Sequence, residues 1–220
     1  MPLDPEARFP VMCITLDGVG LTHAEQARRL CAAGARWVQL RMKGAARGPW
    51  LAEALGAARA CREHGAVFIV NDDVGIALES GADGVHLGSL DAGWPEARRA
   101  LGPGRIVGGT VNGDADAERA AASGCLDYAG VGPLRHTGTK ANLPPVLGIE
   151  GVRRLIGRLR GIPAWVIGGV EAADMADIAW AGAAGAAVSS ALFRGGRVEE
   201  NLRALAAAWP RSAEPAARIS

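Results

Sequence analysis

An α/β barrel of eight strands and eight helices, the (β/α)8 or TIM-barrel architecture in a single domain, is the fold this sequence predicts. Three observations predict it. Short apolar runs alternate with helical segments along the chain, eight of each. Most of these runs are continuously apolar rather than alternating, the pattern of parallel strands buried on both faces. The first strand–helix turn, Asp17-Gly18-Val19-Gly20, lacks the G-x-G-x-x-G expected of an open doubly wound sheet. A chain of 220 residues is long enough for one such domain. Residues 1–210 are expected to form the barrel and residues 211–220 a polar tail.

The elements follow in order. Val11 to Leu16 reads as the first strand. Thr22 with Glu25 three residues on is a capping-box signature that opens a helix to about Ala33, and Gly34 stops it. Arg36 to Leu40 is the second strand, followed by Arg41-Met42-Lys43; Trp50 to His64 is helical and ends at Gly65. Val67 to Val70, a short helix from Val74, and Gly84 to Leu87 form a βαβ unit. Pro95 to Leu101 is a helix, Arg105 to Gly109 a strand, Asp114 to Ser123 a helix, and Leu126 to Gly130 a strand. A long polar loop, Gly132 to Leu147, precedes the helix Ile149 to Leu159. Pro163 to Ile167 is a strand broken by Gly168-Gly169; Ala172 to Ala181 is a helix, Ala184 to Ser189 a strand, and Val198 to Trp209 the last helix.

Composition narrows the function. With 24 basic and 23 acidic residues the net charge is +1, which gives no support to nucleic-acid or polybasic membrane binding. The longest uncharged stretch, Ile178 to Phe193, is too short and too rich in small residues to span a bilayer. The start, MPLDPEARFP, has acids and prolines where a signal peptide needs basic and apolar residues, so a cytoplasmic protein is expected. Four scattered cysteines without a CxxC pair read as small buried residues. Of the basic residues only Lys43 and Lys140 are lysines. In so arginine-rich a chain, each marks a place for a compact, strongly hydrated ammonium.

In this fold the active site lies at the carboxyl ends of the strands, with a phosphate site after strands seven and eight. The residues at those ends are Asp17, Arg41 and Lys43, Asn71 and Asp72, Asp91, Thr110, the 132–147 loop, Gly168-Gly169 and Ser189-Ser190. Asp72 and Asp91, beside Asn71 at adjacent parallel strands, suit a hard cation and through it a phosphate. The glycine pair lets backbone amides approach an anion, and the serines add hydroxyls at the start of the next turn. Thr137-Gly138-Thr139-Lys140, in the longest loop, suits phosphate or pyrophosphate and a lid role. His86, inside an apolar strand, reads as a hydrogen-bonded barrel histidine; His136 is undecided.

Taken together, seven motifs in order resemble those of the thiamine phosphate synthase family over nearly the whole chain. They are Gln39-Leu40-Arg41-Met42-Lys43, Val70-Asn71-Asp72, Gly81-Ala82-Asp83-Gly84-Val85-His86-Leu87-Gly88 running to Asp91, Asp127-Tyr128-Ala129-Gly130-Val131-Gly132-Pro133, Thr137-Gly138-Thr139-Lys140, Ile167-Gly168-Gly169-Val170 and Ser190-Ala191-Leu192-Phe193. The resemblance implies condensation of 4-amino-2-methyl-5-hydroxymethylpyrimidine pyrophosphate with a thiazole phosphate, giving thiamine phosphate and pyrophosphate. It implies that Gln39, Arg41, Lys43, Asn71 and Lys140 hold the pyrimidine pyrophosphate, with Thr110 nearby. Arg41, Lys43 and Lys140 would be the catalytic cations. Asp72 and Asp91 would bind Mg²⁺, and Thr137, Gly138, Thr139, Gly169, Ser189 and Ser190 would hold the thiazole phosphate. The chain departs from the family at Gly138, where proline is usual, and at Leu134-Arg135-His136. Thr110 stands for a serine and Ser89-Leu90 for a Gln-Glu pair.

The rival readings are a thiazole tautomerase of the same superfamily, a non-catalytic barrel that binds thiamine precursors, and a sugar-phosphate isomerase or aldolase. The retained Asp72, Asp91, Lys43 and Lys140 argue against the tautomerase, and Asn112 is a poor acid/base. Small phosphate and pyrophosphate substrates are the expected partners. Homo-oligomerisation is left open.

Overall fold

The structure, a computed structural model, describes residues 9–88, 93–136 and 145–210. The N-terminal residues 1–8 and the expected tail 211–220 lie outside the described residues. Eight strands close into a barrel in the order β1-β2-β3-β4-β5-β6-β7-β8. They are β1 Val11–Ile14, β2 Trp37–Leu40, β3 Val67–Asn71, β4 Gly84–Leu87, β5 Ile106–Val111, β6 Tyr128–Val131, β7 Ala164–Ile167 and β8 Gly185–Val188. Every neighbouring pair is parallel, including β1 with β8, so all eight exits open at one mouth.

The helices around the barrel are α1 His23–Ala32, α2 Arg47–Glu63, α3 Val74–Ser80, α4 Trp94–Leu101, α5 Asp114–Ser123, α6 Gly148–Arg158, α7 Met175–Trp180, α8 Ser190–Phe193 and α9 Val198–Ala207. Thr22 caps α1 as its sequence predicts, its hydroxyl accepting the Glu25 N–H at 3.2 Å. Helix α2 starts at Arg47, ahead of the expected Trp50. Pro49 lies in its first turn, where the missing N–H would have no partner anyway. The expected single helix Ala172 to Ala181 is divided. Glu171 and Asp174 make a reciprocal capping box around the 3₁₀ turn Ala172–Asp174, and α7 begins at Met175. The short α8 after β8 is an element the periodicity did not show. Strand β5 runs two residues past the expected Gly109, which brings Thr110 into the barrel wall.

Strand pleating sorts the side chains into two cores. Val11 and Cys13, Val38 and Leu40, Phe68 and Val70, Val85 and Leu87, and Val107 and Val111 face out and pack beneath the helices. Met12, Ile14, Trp37, Ile69, Tyr128, Trp165 and Ala187 fill the barrel itself. Trp37 lies 5.4 Å from Trp165 and 6.0 Å from Tyr128 between ring centroids, so three aromatic rings plug the floor. Gly108 makes room for them, because a Cβ there would lie 2.2 Å from Tyr128 Cζ. One pleat toward the exits the inward positions turn polar: Gln39 follows Trp37, Asn71 follows Ile69, and Thr110 follows Gly108. The barrel is therefore dry at its floor and polar at its mouth.

Candidate active site

The mouth is built first by the exits of β2 and β3. Gln39, Asn71 and Thr110 are buried, respectively 3%, 7% and 8% exposed. A buried amide or hydroxyl needs hydrogen-bond partners, and at a strand exit a ligand can supply those that the protein does not. Directly above, the Lys43 ammonium is ion-paired with the Asp72 carboxylate. The lysine side chain is 52% exposed and the aspartate 19%, so the pair is half in water and can be remade around a substrate.

Asp72 also has an unusual backbone. Its φ is +73°, in the left-handed region, and among the described residues only Arg160 (φ +50°) is another non-glycine there. The Asp72 N–H donates to the His86 carbonyl at 2.8 Å, which fixes the turn. Asp73 then caps α3, its Oδ1 accepting the Ile76 N–H at 2.8 Å. Two successive aspartates thus have separate tasks: Asp73 starts the helix and Asp72 faces Lys43.

Behind the mouth a hydrogen-bonded line crosses the barrel. Burial pushes the Tyr128 phenol up, opposed by a hydrogen bond from Gln39, so Tyr128 stays protonated. Its hydroxyl lies 3.1 Å from His86 Nδ1, and His86 Nε2 lies 3.0 Å from Thr110 Oγ1. With Tyr128 donating to Nδ1, Nε2 carries the ring proton and donates to Thr110. His86 is thus the hydrogen-bonded barrel histidine of the sequence reading. Gly130 leaves it space, since a Cβ there would meet its Cε1 at 3.0 Å.

The exits of β7 and β8 stand opposite β3 and β4 in the eight-membered ring. Gly168 and Gly169 have φ values of +101° and +67°, a conformation that side chains disfavour. Arg135 lies against Gly169: a Cβ on that glycine would sit 2.5 Å from Arg135 Cγ. The Arg135 guanidinium donates to the Gly169 carbonyl at 2.9 Å and to both Asp174 oxygens at 2.5 and 2.6 Å. Ser189 is half-buried and Ser190 exposed. Helix α8 has four residues, so its dipole adds little to these hydroxyls.

Thus the described residues bring Lys43 and Asp72 into contact and place Gln39, Arg41, Asn71 and Thr110 around the same half of the mouth. Gly169, Ser189 and Ser190 form the other half. Asp91, Thr137, Gly138, Thr139 and Lys140 lie outside the described residues, and so do Ser89 and Leu90. His136 is exposed beside Arg135. Sequence reasoning missed the role of Arg135, whose only signal was its departure from the family pattern, and that of Thr15 and His23, which lie behind the β2 exit. Among the described residues no group of three or more His, Cys, Asp or Glu could hold a metal. Mg²⁺ needs only one or two carboxylates when phosphate and water supply the rest, and Asp72 beside Asn71 is a hard-oxygen donor set of that kind. No described helix is long and apolar enough to cross a membrane.

Comparison with known proteins agrees with this geometry. The family described as thiamine monophosphate synthase matches residues 10–192. A thiamine-phosphate synthase of Bacteroides fragilis is 39% identical over 197 residues, covering 87% of this chain and 96% of the relative. One of Myxococcus xanthus is 44% identical over 185 residues, covering 84% of each. Among solved structures, a thiamine phosphate pyrophosphorylase from Pyrococcus furiosus superposes with a TM-score of 0.82 at 28% identity, covering 91% of this chain and 95% of the other.

Proposed function

The chain belongs to the thiamine monophosphate synthase family and is a transferase, and on that premise we propose that it joins 4-amino-2-methyl-5-hydroxymethylpyrimidine pyrophosphate to a thiazole phosphate with release of pyrophosphate. The observation that carries this reading is the Lys43–Asp72 pair at the exits of β2 and β3, above the buried amides of Gln39 and Asn71. A cation and a carboxylate that share one half-exposed site suit a ligand that brings both phosphate oxygens and a bound cation of its own.

In this reading the pyrimidine pyrophosphate lies over β2, β3 and β5. Arg41 and Lys43 meet the leaving pyrophosphate, with Lys140 as a third cation, and Gln39, Asn71 and Thr110 orient the substrate. Asp72 and Asp91 would hold Mg²⁺, which when bound supplies further positive charge to the leaving group. The bond from the methylene carbon to the pyrophosphate oxygen breaks first, and the electron pair leaves with the oxygen. Positive charge on the methylene is shared with the aminopyrimidine ring. The thiazole nitrogen then donates its lone pair to that carbon. No proton is removed from the nucleophile, so the site needs preorganised positive charge rather than a general base. The thiazole phosphate is anchored on the opposite side by Gly169, Ser189 and Ser190 with Thr137, Gly138 and Thr139. That arrangement sets the nitrogen across the mouth from the leaving group.

The test follows thiamine phosphate by thiochrome fluorescence after mixing the protein with both substrates and Mg²⁺. Turnover that stops with EDTA, returns with Mg²⁺ and collapses in Asp72→Ala and Lys140→Ala is expected. Binding of the pyrimidine pyrophosphate without product would replace this reading with a precursor-binding barrel.

A further inference from the structure

Asp17, His23 and Thr15 form a line of hydrogen bonds behind the β2 exit. His23 Nε2 lies 3.0 Å from Asp17 Oδ1, and His23 Nδ1 lies 2.7 Å from Thr15 Oγ1. The Arg41 backbone N–H reaches the same Thr15 oxygen at 3.0 Å. Thr15 is fully buried and His23 is 7% exposed. The proton directions follow from the fixed acceptor. The Asp17 carboxylate can only accept, so Nε2 carries the ring proton to it. Nδ1 of that tautomer then accepts the Thr15 hydroxyl proton, which leaves a Thr15 lone pair for the Arg41 amide.

An aspartate, a histidine and a hydroxyl in this order look like a nucleophile relay. Burial excludes that use here, because Thr15 reaches no substrate and its oxygen is already held by Arg41. The position in the sheet indicates another use. Thr15 N–H donates to the Gln39 carbonyl at 2.9 Å, which carries the β1–β2 ladder past the ends of both strands. At the next rung the Thr15 side chain, tied to His23, takes the Arg41 amide. Beyond that rung the chain leaves the sheet as Met42, Lys43 and Gly44, with φ +69° at Gly44. The rung is therefore where the Arg41-Met42-Lys43 segment is anchored.

We propose that Asp17, His23 and Thr15 are positioning residues that fix the backbone at Arg41 and so hold the side chains of Arg41 and Lys43 toward pyrophosphate. The inference rests on the pyrophosphate role proposed above for Arg41 and Lys43. Asp17 orients the imidazole, His23 holds the Thr15 rotamer, and Thr15 delivers the constraint. An error of a fraction of an ångström at Arg41 Cα grows along two long side chains, so loss of the line should affect pyrophosphate and spare a ligand held across the mouth.

The experiment is calorimetric titration of the full chain with inorganic pyrophosphate and Mg²⁺, and separately with the thiazole phosphate. It uses wild type, Thr15→Val, Thr15→Ser and Asp17→Ala, with a thermal melt of each. Thr15→Val keeps the shape of the side chain and removes the hydroxyl. It should weaken pyrophosphate about tenfold, the effect of about one hydrogen bond. Thr15→Ser should bind within about twofold of wild type, and Asp17→Ala, an exposed change that leaves the core intact, should lose about threefold. Thiazole phosphate affinity should move less than about twofold throughout. The kcat/KM for the pyrimidine pyrophosphate should fall with the pyrophosphate affinity. Unchanged pyrophosphate binding in Thr15→Val and Asp17→Ala would overturn the proposal. So would equal weakening of both ligands in step with the melting temperature, and so would a wild type that does not bind pyrophosphate. A wild type that binds pyrophosphate but makes no product would refute the synthase reading alone, and the variants would still decide the positioning role.

Discussion

Asp72 gives the sharpest separation of stability from function. Its φ of +73° places an L-residue where glycine is at ease. Ala there costs about 1–2 kcal/mol, and Asp somewhat less, since it tolerates this region. Glycine carries its own penalty of about 0.5–1 kcal/mol in unfolded-state entropy. Asp72→Gly and Asp72→Ala both remove the carboxylate and its pair with Lys43, so the difference between them isolates the backbone. The Gly variant should be more stable than the Ala variant by about 0.5–1 kcal/mol, or about 2 °C in melting temperature for a chain of this length. Against wild type, the Gly variant loses a half-exposed ion pair of about 0.2–1 kcal/mol and gains relief of the turn, so it should melt within about 2 °C of it. Both variants should lose Mg²⁺-dependent turnover by about a hundredfold or more, the loss expected when charge stabilisation of a leaving group is removed.

The assay is scanning calorimetry of wild type, Asp72→Gly, Asp72→Ala and Asp72→Asn, with thiochrome-detected turnover on the same samples. Asp72→Asn serves as a control, because it tolerates the left-handed region without the charge. An Ala variant as stable as the Gly variant would refute the backbone argument. A Gly variant that keeps its turnover would refute the chemical one.

Three further outcomes follow. His86→Phe keeps a ring in the barrel but leaves the Tyr128 hydroxyl and Thr110 without their partner, so urea unfolding should show a loss of about 2–4 kcal/mol. Gly108→Ala drives a Cβ to 2.2 Å from Tyr128 Cζ; overpacking of about 1–3 kcal/mol or more should appear as a lowered urea midpoint and altered near-ultraviolet tryptophan signals. Burial pushes the Cys13 thiol far above its ordinary range, so the folded chain keeps a proton that the unfolded chain releases above about pH 8.5. Stability should therefore be fully present below that pH and fall as pH rises through it, by about 1.4 kcal/mol per unit from this thiol. Urea midpoints in reductant between pH 8 and pH 10 should show a shallower decline in Cys13→Val, and an equal slope would contradict it.

Much of this architecture was legible because the barrel repeats one signal. Short, mostly apolar runs of four to six residues, most of them ending at polar residues or glycine, mark strands buried on both faces and their exits. That signal placed Arg41, Lys43, Asn71 and Asp72 at the mouth, whereas Gln39 came only from the family resemblance. Boundaries blurred where local chemistry overrode the pattern. Helix α2 begins at Arg47, before the expected Trp50, with Pro49 inside its first turn, and the Glu171–Asp174 box cut one expected helix in two. Gly108 and Gly109 hid the length of β5, since glycine reads as a strand end, whereas here Gly108 is required by the Tyr128 ring. Thr15 and His23 were invisible for a different reason. Their relation to Arg41 runs through a side-chain pair 8 residues apart and a side-chain-to-backbone bond 26 residues apart, and no periodicity reports such a link.

The departure at Leu134-Arg135-His136 also gains a physical sense from its neighbours. Leu134 N–H donates to the Ile167 carbonyl at 2.9 Å and Arg135 N–H to the Gly168 carbonyl at 3.1 Å, so the chain leaving β6 continues alongside the exit of β7. Arg135 then lies over Gly169 and clasps Asp174, which itself accepts the Glu171 N–H at 2.7 Å. Glu171 in turn holds Arg194 beyond α8. The exits of β6, β7 and β8 are thus tied through one chain that runs Arg135–Asp174–Glu171–Arg194, with an arginine at each end. If that chain sets the shape of the thiazole phosphate half of the mouth, Arg135→Ala should raise the KM for thiazole phosphate about five- to tenfold, the effect of about one charge-assisted bond on a ligand-binding backbone. The KM for the pyrimidine pyrophosphate, which the proposed arrangement holds across the barrel, should not move. Initial-rate kinetics with each substrate varied in turn decides it, and a rise confined to the pyrimidine side would place the two substrates the other way round.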